Sequence, residues 1–380
     1  MKSSFLFTNF SIHKMKISNL VSNIAGALIF ATLLLFSPLT RSAQAQCSAD
    51  LDNNHQIDGV DLAQLLSQWG ANGTADLNNN GVVDGPDLTQ LLAQWGSCSN
   101  GNLSSTTLSI TQTWAQQPSG YTRTAAVLVP TSGSGPFPVV IMLHGNGGNS
   151  SFINSMGTTL NNAIRVAPNG YSTSWNVDNE TSKAPDVAFI RELIALLKTY
   201  DNVDDAKISI YGVSNGSGMT NRLLIELDGA AFQKAACRVS QMITKMYHDG
   251  SFWFNASGDN TYNQIIIPAN GRRIISISGT ADTTIPYTGG SGVGTTFMNC
   301  QESIYRFAQR MGESGPQLSD AAGIPGNSTN GYSAPFVKYT YLNGQVVHYK
   351  LIGGTHGLSV NGSTAYATEA NQIIATFLLQ

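Results

Sequence analysis

Ile208-Ser-Ile-Tyr-Gly-Val-Ser-Asn-Gly-Ser-Gly218 decides how the rest of the chain is read. Residues 208–211 have the apolar composition of a buried strand and run directly into Gly212-Val-Ser-Asn-Gly216, after which residues 219–227 can form a helix. A strand, a tight turn and a helix around G-x-S-x-G lift a serine hydroxyl out of the end of a sheet, on a strained turn that small flanking residues permit. Ser214 is therefore expected to be a nucleophile. Because the chain holds 38 glycines, the motif needs a base, an acid and an oxyanion-binding loop elsewhere to support it.

A serine nucleophile needs a general base within hydrogen-bond reach. Of six histidines, His13 lies in an N-terminal leader, His55 in an acidic loop, and His144 directly after the apolar run 139–143. His348 falls inside a predicted strand, where a packed ring is expected. His356, in Gly353-Gly-Thr-His-Gly357, occupies a flexible loop after that strand and is the preferred base, with His248 as the alternative. Ile274-Ile-Ser-Ile-Ser-Gly-Thr-Ala-Asp282 ends a predicted strand on a carboxylate that can orient the imidazole; Asp249 and Asp259 are its rivals. A developing oxyanion needs two backbone N–H donors. Asn215 supplies one, and Asn146 or Gly147, in Gly145-Asn-Gly-Gly148, the other.

The order Ser214…Asp282…His356 is that of the α/β-hydrolases. The surrounding pattern agrees. Strands are predicted over 125–129, 139–143, 164–167, 274–277 and 346–351, and helices over 185–200 and 365–379. Continuous apolar strands alternating with helices imply an α/β fold with a mainly parallel central sheet.

Residues 120–360 resemble the secreted polyhydroxybutyrate depolymerase and feruloyl esterase-type carboxylesterases. The stretches that carry the resemblance are Leu143-His-Gly-Asn-Gly-Gly148, Ala167-Pro-Asn-Gly170 with Ser174-Trp-Asn176, Asp186-Val187, Tyr211-Gly-Val-Ser-Asn-Gly216 and Gly279-Thr-Ala-Asp-Thr-Thr-Ile-Pro-Tyr-Thr-Gly-Gly290. The resemblance implies a cofactor-free Ser214–His356–Asp282 triad and puts Trp175 either in the substrate cleft or in the core. One departure is that Thr355 precedes His356 and Gly-Leu-Ser follows, where the family often has Gly-Gly-His-Thr-Trp-Pro. The implied activity is removal of feruloyl or acetyl groups from plant polysaccharide. The alternatives are depolymerisation of a polyhydroxyalkanoate, cleavage of amides by a peptidase on the same scaffold, and a non-catalytic binding or adhesion protein.

Residues 48–96 contain an internal repeat. Asp50-Leu-Asp-Asn-Asn-His-Gln-Ile-Asp-Gly-Val-Asp61 returns as Asp76-Leu-Asn-Asn-Asn-Gly-Val-Val-Asp-Gly-Pro-Asp87, and each copy continues Leu-x-Gln-Leu-Leu-x-Gln-Trp-Gly. Oxygen-bearing side chains fall at loop positions 1, 3, 5, 9 and 12, with a backbone carbonyl at 7, the spacing of an EF-hand calcium loop. One candidate site is Asp50, Asp52, Asn54, Gln56, Asp58 and Asp61; the other is Asp76, Asn78, Asn80, Val82, Asp84 and Asp87. Leu62, Leu65, Leu66 and Trp69, with their counterparts Leu88, Leu91, Leu92 and Trp95, are expected to form core. This stretch resembles the dockerins, small helical modules with two such calcium loops, and that resemblance implies structural Ca2+. Gly59-Val60 and Gly85-Pro86 replace the Ser/Thr pair associated with cohesin recognition, which leaves a cohesin-like or cell-surface partner open.

Composition supports export. Only 11% of residues are charged, the formal net charge is −3, and neither nucleic acid nor an anionic membrane is an expected partner. Lys2, Lys14 and Lys16, the apolar run 24–36 and Ala43-Gln-Ala45 read as a secretory signal over residues 1–45. An extracellular location follows, with no membrane span in the mature protein. The expected architecture is a calcium module at 47–98, a flexible linker at 99–107 and an esterase domain at 108–380. Four cysteines in an exported chain suggest disulfides, and position within the domains favours Cys47–Cys98 and Cys237–Cys300.

Overall fold

The computed structural model describes residues 48–52, 56–97, 100–255 and 259–380. Residues 1–45, expected to be a secretory signal, the Cys47–Cys98 pairing, Asn54 and His55 lie outside the described residues. Among the described residues no helix is long and apolar enough to cross a membrane.

Ten strands form the central sheet: β1 (Thr106–Trp114), β2 (Gln117–Leu128), β3 (Phe137–Leu143), β4 (Ile164–Pro168), β5 (Val203–Val213), β6 (Lys234–Arg238), β7 (Arg273–Gly279), β8 (Ile324–Asn327), β9 (Tyr332–Tyr341) and β10 (Val346–Leu351). Their spatial order is β8-β9-β10-β7-β6-β5-β3-β4-β2-β1. The six strands from β10 to β4 are mutually parallel, and an antiparallel pair closes each edge. The arrangement is consistent with an α/β-hydrolase-type fold.

The parallel strands are continuous apolar runs because both faces are covered. In β3, Val139, Ile141 and Leu143 enter one core, while Val140 and Met142 enter the other. The first core is covered by α3 (Asp186–Leu197), α4 (Asn215–Glu226) and α5 (Cys300–Arg310), the second by α6 (Ala365–Leu379) and residues 150–160. Each fully buried Val, Leu or Ile contributes about 1.5–3 kcal/mol relative to an exposed one. The edge strands β1, β8 and β9 are not apparent in the sequence. The strands are half-exposed or polar; α5, whose single apolar stripe is that of a surface helix, adds to the expected helices.

The duplicated segment folds as two short helices, α1 (Gly59–Ser67) and α2 (Gly85–Ala93), each opened by a reciprocal capping box, Asp58 with Asp61 and Asp84 with Asp87. The copies close on one another. Gln56–Ile57 pairs antiparallel with Gly96–Ser97, and in the equivalent place Val83 exchanges hydrogen bonds with Gly70 and Ala71 at 2.8 Å each. A small core of Ala49, Ile57, Leu65, Ala75, Val83 and Leu91 lies between them. The expected core is therefore corrected in part. Leu62 and Leu88 pack at its margin, whereas Leu66, Leu92, Trp69 and Trp95 stay 48–52% exposed. A two-helix module buries one stripe per helix, and these four side chains lie on the adjoining stripe.

Two further expectations are corrected. The described part of the linker is docked. Asn100 and Gly101 bond the backbone at Thr199 and Asp201, and buried Leu103 exchanges two hydrogen bonds with the Asn202 side chain. Cys237 and Cys300 are free, buried thiols. Cys237 lies on β6 with its sulfur toward Asn221, and Cys300 opens α5 with its sulfur 3.1 Å from Gln241 Oε1. Burial pushes each thiol up to about 12, which disfavours the thiolate that disulfide exchange requires.

Candidate active site

Ser214 sits between β5 and α4 with φ 54° and ψ −120°, a left-handed conformation that a residue with a side chain adopts only under strain. The flanking glycines are compelled by space. A Cβ on Gly212 would lie 2.1 Å from Gly216 O, and one on Gly216 would lie 2.2 Å from Leu143 O. The turn is pressed against both the first turn of α4 and the end of β3. The helix begins at Asn215, four residues earlier than its apolar pattern indicates, because Asn215-Gly-Ser-Gly218 has no apolar periodicity to reveal it.

Three segments from different strands meet at this turn. His356 Nε2 lies 2.9 Å from Ser214 Oγ, and His356 Nδ1 lies 2.7 Å from Asp282 Oδ2. The other oxygen of Asp282 accepts from Thr284 N at 2.8 Å and Ile285 N at 2.9 Å. With the carboxylate on Nδ1, that nitrogen carries the proton and Nε2 accepts from the serine. Asp282 is 1% exposed at its side chain and His356 is 28% exposed, so the acid is shielded while the base reaches the cleft. The acid and base loops are also joined through their backbones. Ala281 N donates to Gly354 O, and Gly353 N donates to Thr280 Oγ1, both at 2.8 Å.

The candidate oxyanion donors separate. Gly147 N donates to Thr173 O at 2.8 Å and so is already committed, which corrects that assignment. The Asn146 N–H carries no hydrogen bond among the described residues, and Asn146 lines the cavity at Ser214. Asn215, as the first residue of its helix, has an N–H with no carbonyl one turn back to receive it. The loop that carries Asn146 is braced by His144. Its Nδ1 lies 2.7 Å from Gly145 O and its Nε2 accepts from Gly170 N at 3.0 Å, an arrangement suited to the neutral ring, and burial lowers its pKa.

Trp175 does not line the cleft. It is fully buried, with its indole N–H donating to His144 O at 2.9 Å and its ring against His144. The cavity beside Ser214, about 350 Å³, has an apolar side of Val177, Ile243, Ile285, Val293 and Phe297. Its polar side includes Asp178 and Glu180, which the sequence did not reveal. Asp178 forms an ion pair with Lys245 at 2.5 Å and accepts from Thr295, tying together three segments of the cavity wall. The other histidines are elsewhere. His248 bonds the exposed Asp249 at 3.0 Å and stacks on Trp253, and Asp259 lies on the surface.

His348 is wholly buried between Ser276 Oγ at 2.7 Å and Tyr287 OH at 2.8 Å, and burial lowers its pKa to about 3. The unfolded chain takes up this proton near 6.5. The stabilising contribution of the neutral ring is therefore complete above pH 6.5 and is lost as pH falls toward 3. Melting temperature should fall with acidification below 6.5, and His348→Gln, which retains a donor and an acceptor, should flatten that slope. Parallel slopes for wild type and variant would exclude this origin.

No protein-family model matches the chain, nor does any curated protein. Among solved structures, similarity is found to a thermostable esterase at 17% identity, covering 72% of this chain and 62% of that one, with TM-score 0.41. The present chain thus spans about three-fifths of that relative's length. An acetyl xylan esterase from Aspergillus awamori is 13% identical over 70% of this chain and 99% of its own, with TM-score 0.42. A thermophilic esterase from Thermogutta terrifontis is 14% identical over 71% and 92%, with TM-score 0.42.

Proposed function

We propose that the protein is a serine carboxylic-ester hydrolase. The observation that carries the reading is the unbroken chain Ser214 Oγ–His356–Asp282, at 2.9 and 2.7 Å, with two uncommitted backbone N–H groups at the mouth of a cavity. His356 Nε2 takes the serine proton as Oγ attacks the ester carbonyl. The N–H groups of Asn215 and Asn146 receive the oxyanion, and the positive end of α4 favours the same charge. Collapse of the tetrahedral intermediate expels the alcohol, protonated by His356, and leaves an acyl-enzyme. Water, deprotonated by the same nitrogen, attacks that acyl group, and Ser214 regains its proton from His356.

The apolar side of the cavity supports binding of an acyl group, and its polar side supports a sugar alcohol. Feruloyl or acetyl esters of plant polysaccharide are thus the proposed substrates, with the enzyme acting outside the cell. Activity on methyl ferulate, acetylated xylan, hydroxybutyrate oligomers and a peptide amide tests this directly. Preference for the oligomers would make the protein a polyester depolymerase, preference for the amide would make it a peptidase, and inertness on all four would leave a binding protein.

Residues 48–96 are proposed to hold structural Ca2+. Two features fit a hard cation. The carboxylates of Asp50, Asp52 and Asp61 bring ligand oxygens within 4.8 Å of one another, and buried Asp84 Oδ1 has no hydrogen-bond partner. Asp76, Asn78 and Asn80 turn their side-chain oxygens into the second loop, where they also accept from backbone N–H groups. Bound Ca2+ would offset the mutual repulsion of these carboxylates. Saturation at 100 times Kd would stabilise the module by about 2.7 kcal/mol. The module transition should accordingly shift upward by several degrees with Ca2+ and return with chelator, and Asp50→Ala with Asp76→Ala should remove the shift. A transition indifferent to chelator would end the calcium reading. The half-exposed Leu66, Trp69, Leu92 and Trp95 support attachment to a protein or cell-surface partner through this module.

A further inference from the structure

Asn215 carries more than a backbone N–H. Its side-chain Oδ1 accepts from Trp175 N at 2.7 Å, while its Nδ2 donates to Trp175 O at 3.1 Å and to Glu180 Oε1 at 2.7 Å. The second oxygen of Glu180 accepts from Val177 N at 3.0 Å and Asp178 N at 2.6 Å. All three partners of this carboxylate are donors, and they approach both of its oxygens. An amide has one oxygen and two N–H groups, so glutamine in this place would turn a donor toward either Asn215 or the two backbone amides.

We infer that Glu180 is a positioning residue for the oxyanion hole: it holds Asn215, and through it the strained 214–215 peptide, in the orientation that aims the Asn215 N–H at the oxyanion. Three observations meet in this assignment. The peptide departs from relaxed geometry, with Ser214 at φ 54°. A conformation of that kind persists only when the surroundings over-determine it. The Asn215 amide is one such restraint, gripped at both of its polar atoms. The carboxylate that grips it lies on the segment forming the cavity wall, and Glu180 itself lines the cavity. The same segment is anchored from behind, where Asp186 accepts from Asn176 N and from buried Arg123, both at 2.6 Å. Glu180 therefore bears on a fixed support.

This inference rests on the proposed esterase activity and deepens it. Removing an oxyanion donor outright costs about 10²–10³ in kcat in other enzymes; loosening one should cost less. Glu180→Gln is expected to lower kcat per active site about tenfold, with sites counted by titration with a phosphonate ester and KM changed less than about twofold. Affinity for a trifluoromethyl ketone, whose hemiketal oxygen occupies the oxyanion position, should weaken in parallel with kcat/KM. Affinity for the product acid should not. Asn215→Ala should reproduce the loss, and the double variant should lose little beyond either single one, because the two side chains act as one unit. A purely structural role would lower the titratable fraction and the melting temperature and leave the rate per titrated site intact. An active wild type with a Glu180→Gln rate per site within twofold of it, or with losses that multiply in the double variant, overturns the assignment alone. A wild type inert toward every ester overturns the esterase reading and this assignment with it.

Discussion

Ser214→Ala is expected to abolish ester hydrolysis, with kcat falling about 10⁵–10⁶-fold, KM within a few-fold of wild type, and melting temperature little changed. The rate falls because, among the described residues, Ser214 Oγ alone is hydrogen-bonded to His356 Nε2, at 2.9 Å. Stability holds because alanine keeps the Cβ that already occupies the elbow, and only a partly exposed hydroxyl is removed, a change usually within about 0.5 kcal/mol. A residual rate of roughly 10³–10⁴ over water should survive, since the donors at Asn215 and Asn146 still polarise the carbonyl. Stopped-flow hydrolysis of p-nitrophenyl acetate checks the result twice. The wild type should give a burst from acylation, and the variant should give neither burst nor appreciable turnover. Equal rates would mean that the activity, if any, resides elsewhere and that the fold serves binding.

Asp282→Asn should lower kcat about 10⁴-fold, the size of loss known for the same change in a serine protease. The reason is specific to the hydrogen bonds here. Asp282 Oδ1 is held by two backbone donors, Thr284 N and Ile285 N. An asparagine keeps its carbonyl oxygen there and turns its NH₂ toward His356 Nδ1. That nitrogen must then become the acceptor, the ring proton moves to Nε2, and Nε2 can no longer take the proton of Ser214. The variant should fold normally and still be labelled slowly by a fluorophosphonate. A loss below about tenfold would show that the imidazole keeps its tautomer without the carboxylate, and would shift the acid role to another residue.

The elbow was legible because its requirements are local: two glycines against a serine, an apolar strand before it, a helix after it. Asp282 and His356 were legible for a related reason, as each follows a buried strand whose apolar run is continuous. Glu180 was not legible. It sits in a polar loop, Asn179-Glu-Thr181, that looks like many solvated turns, and its partners, Val177, Asp178 and Asn215, are defined only by the path of the chain. Trp175 shows the opposite case. Its chemistry suited a cleft or a core equally, and only the position of His144 O, which receives its indole N–H, places it inside. The Cys237–Cys300 pairing failed because an even number of cysteines says nothing about the distance between them.

By itself the sequence determined the chemical inventory and its chain order: a serine on a strained turn, a carboxylate and an imidazole in later loops, and two acidic loops of repeated spacing. These follow from steric and solvation preferences that act over a few residues. The tertiary structure alone decided which N–H groups remain uncommitted at the nucleophile, which of the module's apolar side chains are covered, and which carboxylate braces the elbow. Those properties depend on groups brought together from distant parts of the chain, Gly147 with Thr173 and Glu180 with Asn215, and no local preference encodes such a meeting. The strained turn at Ser214 was therefore readable from its own residues, whereas the environment around it was set only when the strands packed.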